Sequence, residues 1–324
     1  MEHIMVDIII PVYRPDETLR LLLQRLQGQT FAVHKVIIAN TEQRLWEAYL
    51  EKNGGADFLA QLPYELDVFH VSKKDFDHGG TRRLAVARSQ TPYFVCMTQD
   101  ALPEDEYLVE KLLAPLLSDM SVAAAYGRQT ARPECSILEA YTRSFNYPKE
   151  DCLKSGGDLE RLGIKTFFCS NVCAAYRRDV YEELGGFEMH TIFNEDMIYA
   201  GHAVLAGYTI AYAAGAKVCH SHNYTGKQQY QRNFDLAVSQ KQHPEVFAGV
   251  KSESEGIRMV KKSARYLLTI KKPWLIVSLL WQSGWKYLGY RAGKHYETLS
   301  RKQILRRTMN SAYWHALWER EHEK

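Results

Sequence analysis

Asp100 follows an apolar run over residues 93–97 and the polar pair Thr98-Gln99. A carboxylate just past the end of a buried strand lies where open α/β sheets bind ligands. It can hold a hard cation such as Mg2+, which takes oxygen ligands and shares them with substrate phosphates. Taken alone, such a residue is more often a cap or a turn. Upstream, His78-Gly79-Gly80-Thr81-Arg82-Arg83 sets two arginines after two glycines. A guanidinium fork matches phosphate oxygens, and glycine lets a backbone approach closely; the plain alternative is a solvated basic turn. Glu195 and Asp196 open a helical stretch. They could cap that helix, or one could face a cleft as a general base while its neighbour orients the surroundings. His220 and His222 alternate along an extended segment and so face the same way, which allows either to join a metal site or to be structural.

The elements that must position these residues begin at once. Residues 6–12 are β-branched and apolar and read as a buried parallel strand stopped near Pro11. Asp16 or Thr18 can cap a helix to about Gln29, with Leu19, Leu22, Leu23 and Leu26 on one face. A strand at 34–39, a helix at 46–53 and a strand at 66–71 complete a β-α-β-α-β opening, which indicates a doubly wound, mostly parallel α/β sheet. A dinucleotide fold would carry GxGxxG after its first strand. Here that place reads PVYRPDE, which counts against a nicotinamide or flavin enzyme.

Beyond this, helices are expected at 84–89, 104–118, 178–184 and 197–206, the last closed by Gly207. Strands are expected at 93–97, 122–126, 167–176, 208–213 and 216–219. The stretch 133–163 reads as an irregular, substrate-facing loop region. From residue 228 helical periodicity dominates, with breaks near Pro244 and Pro273. The expected division is a sheet domain over 1–227 and a helical region over 228–324.

Charge divides the chain in the same place. Residues 251–324 hold 16 Lys+Arg against 6 Asp+Glu, or +10, which leaves −7 for the remainder of a chain whose total is +3. A basic tail on an acidic body suits an anionic partner, membrane lipid or nucleic acid. Trp274, Trp281, Trp285, Tyr287 and Tyr290 lie among Lys271, Lys272, Lys286 and Arg291, the composition of an interfacial helix. Packing on the sheet domain or on a second copy of the chain are the alternatives. The six cysteines form no CxxC pair and read as free thiols in a reducing compartment. No secretory leader and no apolar run of about 18 residues is visible, so a spanning helix is not expected.

Taken in order, IIIPVYRPDETL, FDHGGTRR, TQDALP, SNVCAAYRRDVYEELGGF, NED and AKVCHSHNYT resemble the family 2 glycosyltransferases of the GT-A fold, and within them the bacterial rhamnosyltransferases. The likeness covers most of residues 5–225. It implies an inverting transfer from a sugar nucleotide, dTDP-β-L-rhamnose, helped by a divalent metal, Mg2+ or Mn2+. It implies Asp196 as catalytic base with Glu195 its neighbour, and Asp100 as metal ligand. The aspartate motif here reads Gln99-Asp100-Ala101, with one acid, so His222 is the further metal ligand implied. Donor contacts are implied at Pro11, Tyr13, Asn40, Thr41, His78, Gly79, Arg82, Gln99 and Asp100. Asn171, Phe187 and His220 are the candidates for the acceptor side. Where the family often has an aspartate after its second strand, this chain reads Ala39-Asn40-Thr41, an amide that could bond a pyrimidine edge. A UDP- or GDP-sugar donor, or a non-enzymatic membrane-associated protein, are the competing readings. The partners implied are the donor, a saccharide or lipid-linked saccharide acceptor and a membrane surface reached by the tail, with no nucleic acid. The expected location is cytoplasmic, peripheral at the inner face of the cell membrane.

Overall fold

The computed structural model describes residues 4–52, 54–250 and 253–322. Its strands are β1 (Val6–Tyr13), β2 (Val33–Thr41), β3 (Glu65–Val71), β4 (Tyr93–Met97), β5 (Leu102–Pro103), β6 (Val122–Thr130), β7 (Cys152–Lys154), β8 (Cys173–Arg177) and β9 (Thr209–Cys219). They form one sheet in the order β3-β2-β1-β4-β8-β6-β9-β5, with β7 paired to β9. The block β3-β2-β1-β4 is parallel, as the β-α-β opening requires. Then β8 enters antiparallel between β4 and β6.

The first helices are α1 (Glu17–Gln27), α2 (Gln43–Lys52), α3 (Gly55–Ala60), α4 (His78–Val86) and α5 (Leu108–Ser118). After them come α6 (Ile137–Asn146), α7 (Leu159–Leu162), α8 (Arg178–Glu183) and α9 (Glu195–Leu205). Strand alternation sorts the core onto two faces. Ile8 and Ile10 join Leu19, Leu22 and Leu23 of α1 and Leu112 and Leu116 of α5 on one side. Ile9 joins Ala85 of α4, Tyr181 of α8 and Tyr199 of α9 on the other. Both faces are covered, which explains why β1 reads as a continuous apolar run.

Several expectations change. The HGGTRR stretch is not a turn before a helix but the first turn of α4, because the Asp77 carboxylate accepts from the backbone N–H of Gly79 and Gly80 and caps it. Residues 133–163 are not a loop: Ser136 caps α6, and β7 and α7 follow. The strand expected over 167–176 shrinks to β8, since 3-10 turns occupy Gly163–Phe167. The two short strands of 208–219 are one, β9, whose register against β6 slips between Gly127 and Arg128. All six cysteines are unpaired.

The helical region comprises α10 (Gly226–Gln242), α11 (Pro244–Phe247), α12 (Glu253–Thr269), α13 (Leu275–Lys294), α14 (Arg301–Arg307) and α15 (Ser311–His322). It packs on the body. A Cβ at Gly289 would come within 2.1 Å of the Tyr230 carbonyl oxygen, and one at Gly293 within 2.3 Å of that of Phe234, so glycine sets how closely α13 lies on α10. Tyr266 of α12 stacks on Tyr141 of α6 with centroids 4.3 Å apart, beside Leu138, Leu267 and Leu279. Trp314 of α15 is buried with Phe234, Val238 and Ile304. The Asp235 carboxylate accepts from Thr308 Oγ1 (2.6 Å) and Met309 N (2.8 Å), which fixes the link between α14 and α15. No described helix is long and apolar enough to cross a membrane.

Candidate active site

Two clusters form along the C-terminal ends of β4, β6 and β9. The first is built on Asp100, in the turn after β4. The Nε2 atoms of His220 and His222, just past β9, lie 3.5 and 3.4 Å from the same oxygen, Asp100 Oδ2. Their ligand atoms all fall within 4.8 Å of one another. The alternation of an extended chain turns both rings one way, as the sequence implied, and brings His220, a candidate for the acceptor side, against Asp100 together with His222. Burial pushes the His220 imidazole down to about 3, and it lowers His222 in the same sense. Neutral imidazole is the form that ligates metals.

Gln129, at the end of β6, holds the cluster in place. Its Oε1 meets His220 Nδ1 at 3.0 Å and also accepts from Arg143 of α6. An Nδ1–H donated there leaves the Nε2 lone pair facing Asp100. Arg132 binds the Asp100 carbonyl oxygen at 3.1 Å. Sequence reasoning passed over Gln129, Arg132 and Arg143. For Gln129 the signal was available: a polar residue closing an alanine-rich buried strand.

The second cluster is Glu195 and Asp196. Asn194, with φ 64°, turns the chain into α9 so that adjacent carboxylates diverge. Glu195 is buried and meets Arg82 NH1 at 3.0 Å and Asn171 Nδ2 at 3.1 Å. Asp196 is part-exposed, and its two oxygens accept from Asn171 N (2.9 Å) and Met197 N (2.8 Å). Burial opposes charge on Glu195, but Arg82, His78 and the Asn171 amide outweigh it and hold the carboxyl below its ordinary range. For Asp196, burial and then the Glu195 charge push the carboxyl up to about 7. A carboxylate poised there is a competent general base near neutral pH.

The clusters are neighbours. Gln129 Nε2 donates to Ser170 Oγ at 3.0 Å, and Ser170 precedes Asn171, whose N–H holds Asp196. His220 is thus linked through Gln129 and Ser170, and through the peptide bond to Asn171, to the carboxylate of Asp196.

The other site candidates divide. Tyr13 is exposed at the end of β1, and the Gln99 side chain grips its backbone through both N (2.8 Å) and O (3.1 Å). Pro11 is half-buried beneath it. Asn40 does not face a groove: it is fully buried, and its Nδ2 binds His70 Nδ1 at 3.0 Å and the Glu42 carbonyl oxygen. Thr41 is buried beside it. Gly79 is required by the chain itself, since a Cβ would come within 1.7 Å of the Glu188 carbonyl oxygen, and its N–H is held by Asp77. His78 is half-buried, edge-on to Phe76 and Phe193. Arg82 is 6% exposed against Glu195 and so holds a carboxylate rather than standing open to a diphosphate. Phe187 is fully buried among Tyr176, Tyr181 and Tyr199 and is a core residue, not an acceptor contact. Asn171 is 2% exposed and serves the two carboxylates.

The chain matches the family model described as glycosyl transferase family 2 over residues 7–185. It is 37% identical over 316 residues to the O-antigen chain rhamnosyltransferase RfbN of Salmonella typhimurium, covering 95% of this chain and 96% of that one. To the O-antigen chain rhamnosyltransferase WbaN of Salmonella anatum it is 42% identical over 255 residues, 78% of this chain and 80% of the relative. Among solved structures it resembles the mannosyltransferase PcManGT from Pyrobaculum calidifontis in complex with GDP-Man and Mn2+, with TM-score 0.52 and 14% identity over 98% of this chain and 87% of that one, a likeness of fold. The chain belongs to glycosyl transferase family 2 and is a glycosyltransferase of the rhamnosyltransferase-like kind.

Proposed function

We propose that the enzyme transfers L-rhamnose, with inversion, from dTDP-β-L-rhamnose to a lipid-linked saccharide during synthesis of a cell-surface polysaccharide. The observation that carries this reading is the likeness to an O-antigen chain rhamnosyltransferase along 95% of the chain, sheet domain and helical region alike. We keep the division into a catalytic domain over 1–227 and a helical region over 228–324.

In this reading the donor lies over the ends of β1 and β4, with Tyr13 available to stack on its base. Asp100, His220 and His222 would hold a divalent cation, which neutralises charge developing on the leaving diphosphate. Two imidazoles beside one carboxylate favour Mn2+ over Mg2+, which prefers an all-oxygen shell. Asp196 takes the proton of the acceptor hydroxyl as its oxygen attacks the anomeric carbon from the face opposite the diphosphate. The N–H groups of Asn171 and Met197 hold that carboxylate still. Arg82 keeps Glu195 ionised, and the charge so fixed makes Asp196 the more basic of the pair.

The tail supports work at a membrane. Trp274 (65%), Val277 (73%) and Trp281 (66%) are exposed on α13 and the residue before it, close in sequence to Lys271, Lys272 and Arg291. Apolar side chains ringed by lysine and arginine suit the headgroup boundary of an anionic bilayer.

The deciding experiment offers purified enzyme dTDP-rhamnose, UDP-galactose, UDP-N-acetylglucosamine and GDP-mannose with Mn2+ and a lipid-linked acceptor. We expect turnover with dTDP-rhamnose and an α-linked product. Transfer from a UDP- or GDP-sugar, with none from dTDP-rhamnose, would sink the donor assignment.

A further inference from the structure

We propose that the helical region sets the catalytic base: α10 clamps the left-handed turn at Phe193-Asn194, with Ser239 as a positioning residue, so that Asp196 stands where the Asn171 N–H can hold it. The inference rests on the reading of Asp196 as base and adds the residues that place it. Asn194 has φ 64° and ψ 23°, a conformation that L-residues other than asparagine and aspartate seldom adopt. Its carbonyl oxygen accepts from Ile198 N at 2.8 Å and so starts α9, the helix that carries Glu195 and Asp196. A backbone of this kind persists where its surroundings over-determine it.

Those surroundings come from α10. Ser239 Oγ donates to the Phe193 carbonyl oxygen at 2.6 Å, and Asn194 Nδ2 donates to the Leu236 carbonyl oxygen at 3.3 Å. The same Phe193 oxygen also accepts from Thr191 Oγ1 at 2.8 Å. The Phe193 ring meets two elements: Arg232 of α10 stands 4.6 Å from its centre, and the His78 ring of α4 is edge-on to it at 6.2 Å. Ile192 is buried with Phe234 and Val238 of α10. Thr191 and Ser239 are fully buried and Asn194 is 4% exposed, so water offers these polar groups no substitute partner. Further along α9, Val246 of α11 fills the space beside Gly201, where a Cβ would come within 2.3 Å of its Cγ1.

The clamp therefore falls on the two residues that precede the carboxylates. What it must deliver is narrow. Asp196 Oδ2 accepts from Asn171 N at 2.9 Å, and Glu195 Oε1 meets Arg82 Nη1 at 3.0 Å. Both partners belong to segments outside the turn, so a turn that relaxes carries the carboxylates away from them. A shift of about 1 Å takes a hydrogen bond of that length beyond its range, and misplacement on that scale can cost about 10²-fold in rate. The helical region thus belongs to the catalytic unit: it orients the base without touching the substrate.

The test compares wild type with Ser239→Ala, Asn194→Ala, Asn194→Gly and Asp196→Asn, each as the full chain. Turnover is measured with whichever of the sugar nucleotides above serves as donor, and exchange of the Asn171 amide hydrogen is followed by NMR. We expect Ser239→Ala to lower kcat about 3- to 10-fold and Asn194→Ala about 10- to 100-fold, with donor KM near wild type in both. Asn194→Gly takes the left-handed turn freely and should keep more activity than Asn194→Ala. In Ser239→Ala the Asn171 amide should exchange about 3- to 10-fold faster while amides of β1 and β4 keep their wild-type rates. Wild-type exchange of the Asn171 amide in Ser239→Ala overturns the clamp, as does a kcat loss matched by an equal rise in donor KM, which marks a general disturbance. Should Asn194→Ala unfold early, Ser239→Ala decides by itself. Full turnover in Asp196→Asn would fail the base reading instead; the exchange of the Asn171 amide needs no turnover, so the two failures are told apart.

Discussion

At the scale of residues, adjacent carboxylates in one turn of helix do different work. Arg82 anchors Glu195, and Glu195 with burial lifts Asp196 to about 7. A base acts deprotonated, so kcat/KM should rise with pH through about 7 and then level. Glu195→Gln removes the like charge and leaves Arg82 closer to Asp196 in effect, so both changes move the inflection downward; an inflection that stays put would refute the pairing. Asp196→Asn should cost about 10²- to 10⁴-fold in kcat with donor affinity kept. At the other cluster, His222→Ala and Gln129→Leu should each weaken Mn2+ binding about 10- to 100-fold, one by removing a ligand and one by freeing His220 to turn. Full turnover after exhaustive chelation would contradict a metal role for Asp100.

At the scale of elements, the site depends on joints between segments distant in sequence. Asp235 of α10 ties down the chain between α14 and α15, and burial pushes its carboxyl up to about 7. The fold therefore favours the protonated form. That contribution to stability is full below the unfolded value near 3.8 and is lost as pH rises through about 7. Asp235→Ala should cost about 1–3 kcal/mol in urea unfolding at pH 6, less at pH 8, because Thr308 and Met309 lose their partner. An equal cost at both pH values would argue against a buried, proton-favouring site. A similar joint holds α4: the Asp77 cap and the Gly79 contact with the Glu188 carbonyl fix the helix that carries Arg82.

At the scale of the whole molecule, a basic helical region covers one side of a family 2 catalytic sheet and leaves an apolar stripe outward. The double variant Val277→Glu, Trp281→Glu should lower binding to vesicles containing phosphatidylglycerol at least about tenfold, since each change puts charge on the contact face. Raising salt from about 0.1 to 0.5 M should weaken wild-type binding through screening of the lysines and arginines. Vesicle binding equal to wild type in the double variant would mean another surface does the docking.

By itself the sequence determined the parallel opening of the sheet, the helical tail, and the positions of Asp100, Asp196, His220 and His222. These follow from periodicity, strand ends and alternation, which are local properties of the chain. Only the tertiary structure decided who meets whom. Because β8 enters antiparallel between β4 and β6, Asn171 comes to Asp196 and Gln129 comes to His220. Arg82 turned from an expected phosphate contact into the partner of Glu195, and Asn40 from a base contact into a buried residue, because burial depends on neighbouring strands and helices. Strand order and helix docking join residues far apart in the chain, and no spacing pattern along one segment encodes them.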